Sequence, residues 1–317
     1  MYEEVKSSKI TITSIDAYEK FIESIKPEKE YGDYLKNKRV AFVGPSKYLF
    51  DSEIGLGEKH GELIDDYDIV ARIKCIPLLP FEEKLSPEKI RFIGNRVDVI
   101  YNWTAVNSKD HKMMNGIYEH NVQYIRIPNS VKAGTVQTTS TALHHGRPWN
   151  PVLKHNIENC SCHHINFDIS GYREYCSALK SMPTNLSKRG RALALQTGSA
   201  GLMELIASDC REIYITGITY YHGGDNMFEK KKKGHAAPVV GKHNAAVEIR
   251  LLVDALLYEI EKYGNLNRIK VDNVLKFIIL QYVGMYHSND PLKWYDDVTA
   301  NSIKKKVEKR FGVSSSD

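Results

Sequence analysis

The sequence predicts an α/β protein: a doubly wound, mostly parallel sheet with helices on both faces. Three observations carry that expectation. Short runs rich in β-branched and aromatic residues recur at 39–43, 68–73, 97–101, 122–127 and 164–168, separated by stretches long enough for helical crossovers. A further strand–turn–helix–strand unit spans 191–217, with Ala192–Gln196 as strand, Thr197-Gly198-Ser199 as turn, a helix to Asp209 and Glu212–Gly217 as strand. The first strand, Arg39–Val43, ends in Gly44-Pro45-Ser46, where a glycine lets the main chain approach a ligand closely.

The remaining elements follow from periodicity. Tyr18, Phe21, Ile22 and Ile25 fall at helical spacing, so 13–36 reads as an amphipathic helical preface. A polar loop carries the chain from Ser46 to a second strand at Ile69–Ile73. Residues 128–160 are rich in Thr, His, Asn and Pro without clear period, as expected of a long surface insertion. Ala246, Ile249, Leu252, Leu256 and Ile260 mark a strong helix over 242–262, and the apolar stretch 272–286 is also expected to be helical. The predicted organisation is a helical extension over 1–36, one domain over 37–290 and a basic amphipathic tail over 291–317.

Composition narrows the class. With 317 residues, 42% of them hydrophobic, the chain can bury the core of one large α/β domain or of two small ones. Charged residues at 26% exclude both a disordered and a membrane-spanning composition. A net charge of +5 is small for this length and calls for no nucleic-acid partner. No apolar run reaches the roughly 18 residues of a membrane span. The nearest, Val274–Val283, is broken by Lys276. The start, Met1-Tyr2-Glu3-Glu4-Val5-Lys6, is acidic and lacks the apolar core of a secretory signal, so a soluble, cytoplasmic protein is expected. Cysteines at 75, 160, 162, 176 and 210 have no spacing of a disulfide framework.

Four segments could carry chemistry. Thr197-Gly198-Ser199-Ala200-Gly201 is a small-residue turn opening a helix, whose free N–H groups suit a phosphate or ribose hydroxyl. A plain helix cap by Thr197 or Ser199 is the structural alternative. Tyr220-Tyr221-His222 lies just past the strand ending at Gly217, where ligand crevices form in open α/β sheets. The phenol of Tyr221 and the imidazole of His222 could hydrogen-bond a departing phosphate, or the pair could pack beneath a loop. His243 opens a helix, where the dipole favours a neutral, proton-accepting imidazole, and Glu248 follows five residues on, facing another way. Asn102 closes the strand Val97-Asp98-Val99-Ile100-Tyr101 and serves either as a ligand contact or as a turn residue.

Other signals are weaker. Asp66-Tyr67-Asp68 has the spelling of an acidic metal pair, yet it precedes a strand instead of following one. Cys160-Ser161-Cys162-His163-His164 is too cramped for a tetrahedral zinc site without another segment. Lys230–Lys233 reads as a solvated loop. No Gly-x-Gly-x-x-Gly, phosphate-loop or Gly-x-Ser-x-Gly motif occurs.

The run Gly61-Glu62-Leu63-Ile64-Asp65-Asp66-Tyr67-Asp68-Ile69-Val70-Ala71-Arg72 resembles the long sialylmotif of eukaryotic sialyltransferases, Gly-x-x-Ile-Asp-x-x-Asp followed by Val-x-Arg. Cys210-Arg211-Glu212-Ile213, followed by Gly217, resembles the short sialylmotif, and His243 with Glu248 resembles the very short one. The register from Thr197-Gly198 to Glu212-Ile213-Tyr214 is also similar to bacterial lipooligosaccharide sialyltransferases. The resemblance covers roughly 39–104 and 190–260.

The resemblance implies a sialyltransferase-type variant of the GT-A fold and an inverting, metal-independent transfer. A sialic acid or related 2-keto sugar acid would pass from a CMP-sugar to a glycan or glycolipid hydroxyl. It implies His243 as base, Tyr221 and His222 at the leaving phosphate, and Gly44, Ser46, Asn102, Thr197, Gly198 and Ser199 around the nucleotide; Lys74, where the family has an asparagine, could supply charge to a phosphate instead. Asp65, Asp68, Arg72 and Glu248 are the expected structural members. No metal or other cofactor is implied, nor any nucleic-acid partner; the basic tail could touch a membrane surface. The chain departs from the family's pattern at three places. Val40 stands where the long motif starts with a cysteine, leaving Cys210 without the family's disulfide partner; Lys74 replaces an asparagine; and Pro45 stands where many relatives have Asn. A Kdo-type transferase on the same scaffold, or a degenerate protein that binds CMP or glycan without catalysis, are the alternatives left open.

Overall fold

Val40, Ala41, Phe42 and Val43 are all fully buried, which is the burial of a strand covered on both faces. They belong to β1 (Arg39–Val43), the third strand from one edge of a seven-stranded sheet. The computed structural model describes residues 1–7, 15–50, 60–73, 87–101, 121–128, 161–165, 169–178, 195–220 and 245–285.

Within these, β1 is joined by β2 (Ile69–Ile73), β3 (Val99–Tyr101), β4 (Tyr124–Pro128), β5 (Ser161–Ile165), β6 (Glu212–Thr216) and β7 (Ile269–Val271). The spatial order is β5-β4-β3-β2-β1-β6-β7, and every neighbouring pair is parallel. From β1 the chain first builds outward through β2 to β5, then crosses back to place β6 on the other side of β1. The strand order therefore reverses between β1 and β6. In an open parallel sheet, such a reversal opens a crevice at the C-terminal strand ends.

The helices are α1 (Tyr2–Lys6), α2 (Ile15–Ser24), α3 (Lys29–Leu35), α4 (His60–Asp65), α5 (Pro87–Ile93), α6 (Ile169–Ala178), α7 (Thr197–Ala207), α8 (Ala245–Tyr263) and α9 (Asn273–Met285). Adjacent strand residues point to opposite faces, and β2 shows which helices cover which face. Arg72 reaches the α5 side, bonding the main-chain oxygens of Ile93 and Arg96, while Ile73 lies against Gly198 of α7. Helices α2, α3 and α6 share the α7 face: Tyr31 of α3 bonds Tyr101, and Phe21 of α2 stacks on Tyr175 of α6. Each fully buried Leu, Ile, Val or Phe in these layers contributes about 1.5–3 kcal/mol relative to exposure.

Several sequence expectations need correction. The preface over 13–36 is two helices, because Pro27 disfavours helical geometry at Lys26 and breaks the run. The stretch before β2 is not all loop, since His60–Asp65 is helical and buries Ile64. Leu195 and Gln196 are not strand; Gln196 is the N-cap of α7, and 192–194 lie outside the described residues. The fifth strand begins at Ser161, three residues earlier than expected, with its Cys-His-His run inside the strand. The short edge strand β7 was not anticipated, as three residues are too few to display a period. The insertion at 129–160, the lysine run and the tail lie outside the described residues. No helix among the described residues is long and apolar enough to cross a membrane.

Candidate functional site

Two turns meet where the strand order reverses. Gly44 leaves β1 and Gly217 leaves β6, and the Gly44 N–H donates to the Thr216 carbonyl at 2.7 Å. The Ser46 N–H donates to the Gly217 carbonyl at 3.1 Å, and the hydroxyls of Ser46 and Thr219 are 3.3 Å apart. A Cβ at Gly44 would overlap the Gly217 carbonyl, so the close approach needs glycine there. Gly217 itself has φ +73°, the left-handed region that glycine adopts without penalty.

The third component is the N-terminus of α7. Gly198 lies against Ile73 and Gly201 against the ring of Tyr101, the last residues of β2 and β3. The first turn of α7 therefore sits over the C-terminal strand ends, and its leading N–H groups have no acceptor within the helix. Neither Thr197 nor Ser199 is the N-cap; that position is Gln196, whose own side chain makes no capping bond. The capping acceptor comes from α8 instead. Glu248 accepts the Gln196 N–H at 3.2 Å and the hydroxyl of Ser199, and is 1% exposed. Burial pushes its carboxyl up to about 8, opposed by the bonds from Ser199 and the Gln196 N–H. Tyr220, buried at φ +49°, also hydrogen-bonds Ser199, and burial raises its phenol.

The structure thus brings together Gly44, Ser46, Thr197, Gly198, Ser199 and Glu248. The hydroxyls of Ser46 and Ser199 are engaged inside the protein, so the groups left for a ligand are main-chain amides and the half-buried Gly198. Lys74, Asn102, Tyr221, His222 and His243 lie outside the described residues. In the chain, Lys74 follows the end of β2, Asn102 the end of β3, and Tyr221 the pinned Tyr220.

The other motif residues face away from these turns: Asp65 and Asp68 lie before the strands, and Arg72, within β2, reaches with its side chain to the end of α5. Asp65 accepts the N–H groups of Asn95 (2.8 Å) and Arg96 (3.0 Å), and Asp68 accepts the Arg39 N–H at 2.7 Å. Arg39 also bonds Asp66 at 3.1 Å. The Arg39 N–H holds Asp68 below its ordinary value, with the Arg39 and Arg211 charges adding to the effect. Arg72, fully buried, caps the end of α5 through 2.7 Å bonds to Ile93 and Arg96; burial lowers its guanidinium to about 10. These residues lock the corner before β2 and β3, where carboxylates are matched by arginines. Cys210 is a buried free thiol that burial pushes up to about 12, and Val40 packs in β1.

Sequence reasoning missed Tyr48 and Asp272. Asp272 accepts from Tyr48, from Thr216 Oγ1 at 2.7 Å and from the Gly217 N–H at 3.2 Å. It also caps α9 through the Leu275 N–H at 2.7 Å. An aspartate just before an apolar helical run was a legible cap signal. Nothing near Tyr48 in the sequence announced a partner more than 200 residues away.

No family model and no curated protein matches the chain. Similar solved structures include a mammalian sialyltransferase in complex with Gal-beta-1-3GalNAc-ortho-nitrophenol, 13% identical over 85% of this chain and 83% of that one, TM-score 0.39. A variant of the sialyltransferase CST-II in complex with CMP is 12% identical over 74% of this chain and 86% of that one, TM-score 0.40. The monofunctional alpha-2,3-sialyltransferase Cst-I from Campylobacter jejuni is 15% identical over 75% of this chain and 76% of that one, TM-score 0.42.

Proposed function

We propose that the chain is an inverting, metal-independent glycosyltransferase that moves a sialic acid or related 2-keto sugar acid from a CMP-sugar to a glycan hydroxyl. One observation carries the reading. Strand β1, where Val40 stands at the start of the long-motif segment, lies beside β6, which carries the short-motif residues; the strand order reverses between them, with glycine turns and a helix N-terminus at their C-terminal ends. That arrangement offers main-chain donors to an anion.

In the proposed reaction the acceptor oxygen attacks the anomeric carbon while the bond from that carbon to the phosphate oxygen breaks. His243 takes the acceptor's proton, and the electron pair leaves with CMP. Tyr221 and His222 donate hydrogen bonds to the departing phosphate, and Lys74 adds positive charge. Asn102, Gly44, Thr197 and Gly198 frame the nucleotide, with Ser46 and Ser199 holding the turns. A lipid-carried acceptor would bring the basic tail, 291–317, to a membrane surface.

The test is CMP release and product formation from CMP-sialic acid and from CMP-Kdo, each with a panel of glycan and glycolipid acceptors. His243→Ala is expected to lower kcat by at least about 100-fold, the lower end for loss of a general base. Activity near wild type would remove His243 from that role, and a preference for CMP-Kdo would change the donor. Firm CMP binding with no transfer from any donor would favour a non-catalytic CMP-binding protein.

A further inference from the structure

Tyr48 and Asp272 belong to none of the motifs discussed above. They come from opposite ends of the chain and meet beneath the exit of β6. Tyr48 lies in the 3-10 turn Lys47–Phe50 that follows the Gly44-Pro45-Ser46 turn, and Asp272 sits between β7 and α9. The Tyr48 hydroxyl donates to the Asp272 carboxylate and accepts the Gly217 N–H at 2.6 Å. The same carboxylate oxygen accepts from Thr216 Oγ1 and the Gly217 N–H, while the other accepts the Leu275 N–H. The Asp272 N–H donates to the Ile215 carbonyl at 3.0 Å. Tyr48, Thr216 and Asp272 are each no more than 6% exposed, and no basic side chain among the described residues bonds the carboxylate. Hydroxyl, amide and helix dipoles hold this buried anion instead.

The effect falls on one short segment. Beyond β6 the chain is tied at Gly217 by Tyr48 and Asp272, at Thr219 by Ser46, and at Tyr220 by Ser199. Two of its four residues, Gly217 and Tyr220, are left-handed, so the path turns sharply and has little freedom to relax. Without the Tyr48 hydroxyl, Asp272 loses a donor and the Gly217 N–H its shorter bond.

We propose that Tyr48 and Asp272 act as one unit that positions the exit of β6, residues 217–220, the segment from which the chain runs on in sequence to Tyr221 and His222. As a role in catalysis this rests on the functional reading above. The geometry of the tie does not. Tyr48→Phe removes one oxygen and keeps the ring packed against its neighbours. Asp272→Asn keeps an oxygen acceptor for the Leu275 N–H and removes the charge.

The experiment combines steady-state kinetics with amide hydrogen exchange on the full chain, for wild type, Y48F, D272N and the double variant. With CMP-sialic acid as donor, Y48F is expected to lower kcat about 10- to 100-fold, the scale for sub-ångström to 1 Å misplacement, with KM little changed. The double variant should be no worse than the poorer single one, because the two side chains act as a unit. Exchange at 217–220 should quicken several-fold in Y48F while β1 and β2 stay protected. If D272N fails to fold, Y48F alone decides. Wild-type kcat and unchanged exchange at 217–220 in folded Y48F would overturn the proposal while leaving the transferase reading standing. If the wild type transfers from no donor, the functional reading falls instead, and exchange at 217–220 decides whether the tie exists.

Discussion

Among the described residues no cation bonds the buried Glu248 carboxyl, and its surroundings explain how the fold tolerates it. It faces the Gln196 N–H and the Ser199 hydroxyl from α7, with Tyr220 after β6 and Tyr172 and Cys176 of α6 nearby. None of these carries positive charge, so desolvation dominates and the acid form is favoured up to about pH 8. The folded protein therefore binds more protons than the unfolded chain between 4.5, the ordinary glutamate value, and about 8. The stability this group contributes is fully present below that window and is lost as pH rises through it. Glu248→Gln mimics the protonated acid. Denaturant unfolding should find the two proteins close near the acid end of the window and the variant gaining on wild type toward its alkaline end. A constant difference at every pH would contradict the protonated state. The spacing of His243 and Glu248 singled this residue out, but its contact with Ser199 was not legible. Ser199 lies 49 positions away in another motif, and only the fold joins them.

Secondary elements show a similar division. Strands β1, β2 and β6 were readable because both of their faces are buried, which demands continuous runs of Val, Ile and Phe. Helices α8 and α9 were readable from their apolar period. The short elements α4 and β7 were not, since tertiary packing and not local pattern decides them. The turn between β6 and the segment after it makes a sharper test. Gly217 (φ +73°) and Gly264 (φ +70°) share a backbone conformation, but a Cβ at Gly217 would meet the Gly44 carbonyl and Leu49, while one at Gly264 meets nothing within 4 Å. Gly264→Ala should cost only the strain of a left-handed residue, about 1 kcal/mol. Gly217→Ala adds the collision and should cost more, about 3 kcal/mol or beyond. Thermal unfolding of both variants checks this: equal losses would mean that the two turns do not press together.

At the scale of the whole molecule, the N-terminal helices are built into the body of the fold. Arg126 of β4 pairs with Glu204 of α7 and with Glu28 at 2.7 Å, and its guanidinium lies 4.3 Å from the centre of the Tyr31 ring. Tyr101 joins this buried network by bonding both Tyr31 (2.9 Å) and Glu204 (3.1 Å). Removing Arg126 or Glu204 would strand the other's buried charge, a loss of about 3–5 kcal/mol, and Glu28 and Tyr31 tie residues 28–35 to that pair. The sheet then has two distinct ends. At one, Asp65 and Asp68 lock corners, with Arg72 of β2 reaching the end of α5; at the other, Gly44, Gly217 and the start of α7 surround the reversal of strand order. Sequence motifs located both groups, but which of them frame a crevice and which brace the far edge depends on strand direction, which only the assembled sheet supplies. The proposed transferase needs a cytidine nucleotide bound where the strand order reverses. Thermal unfolding of the full chain with CMP, CDP, UMP, GMP and AMP at matched concentrations measures whether it binds one. CMP at about 100 times its Kd should add about 2.7 kcal/mol of stability, with little response to UMP, GMP or AMP. An equal response to all five nucleotides, or none to any, would contradict the claim.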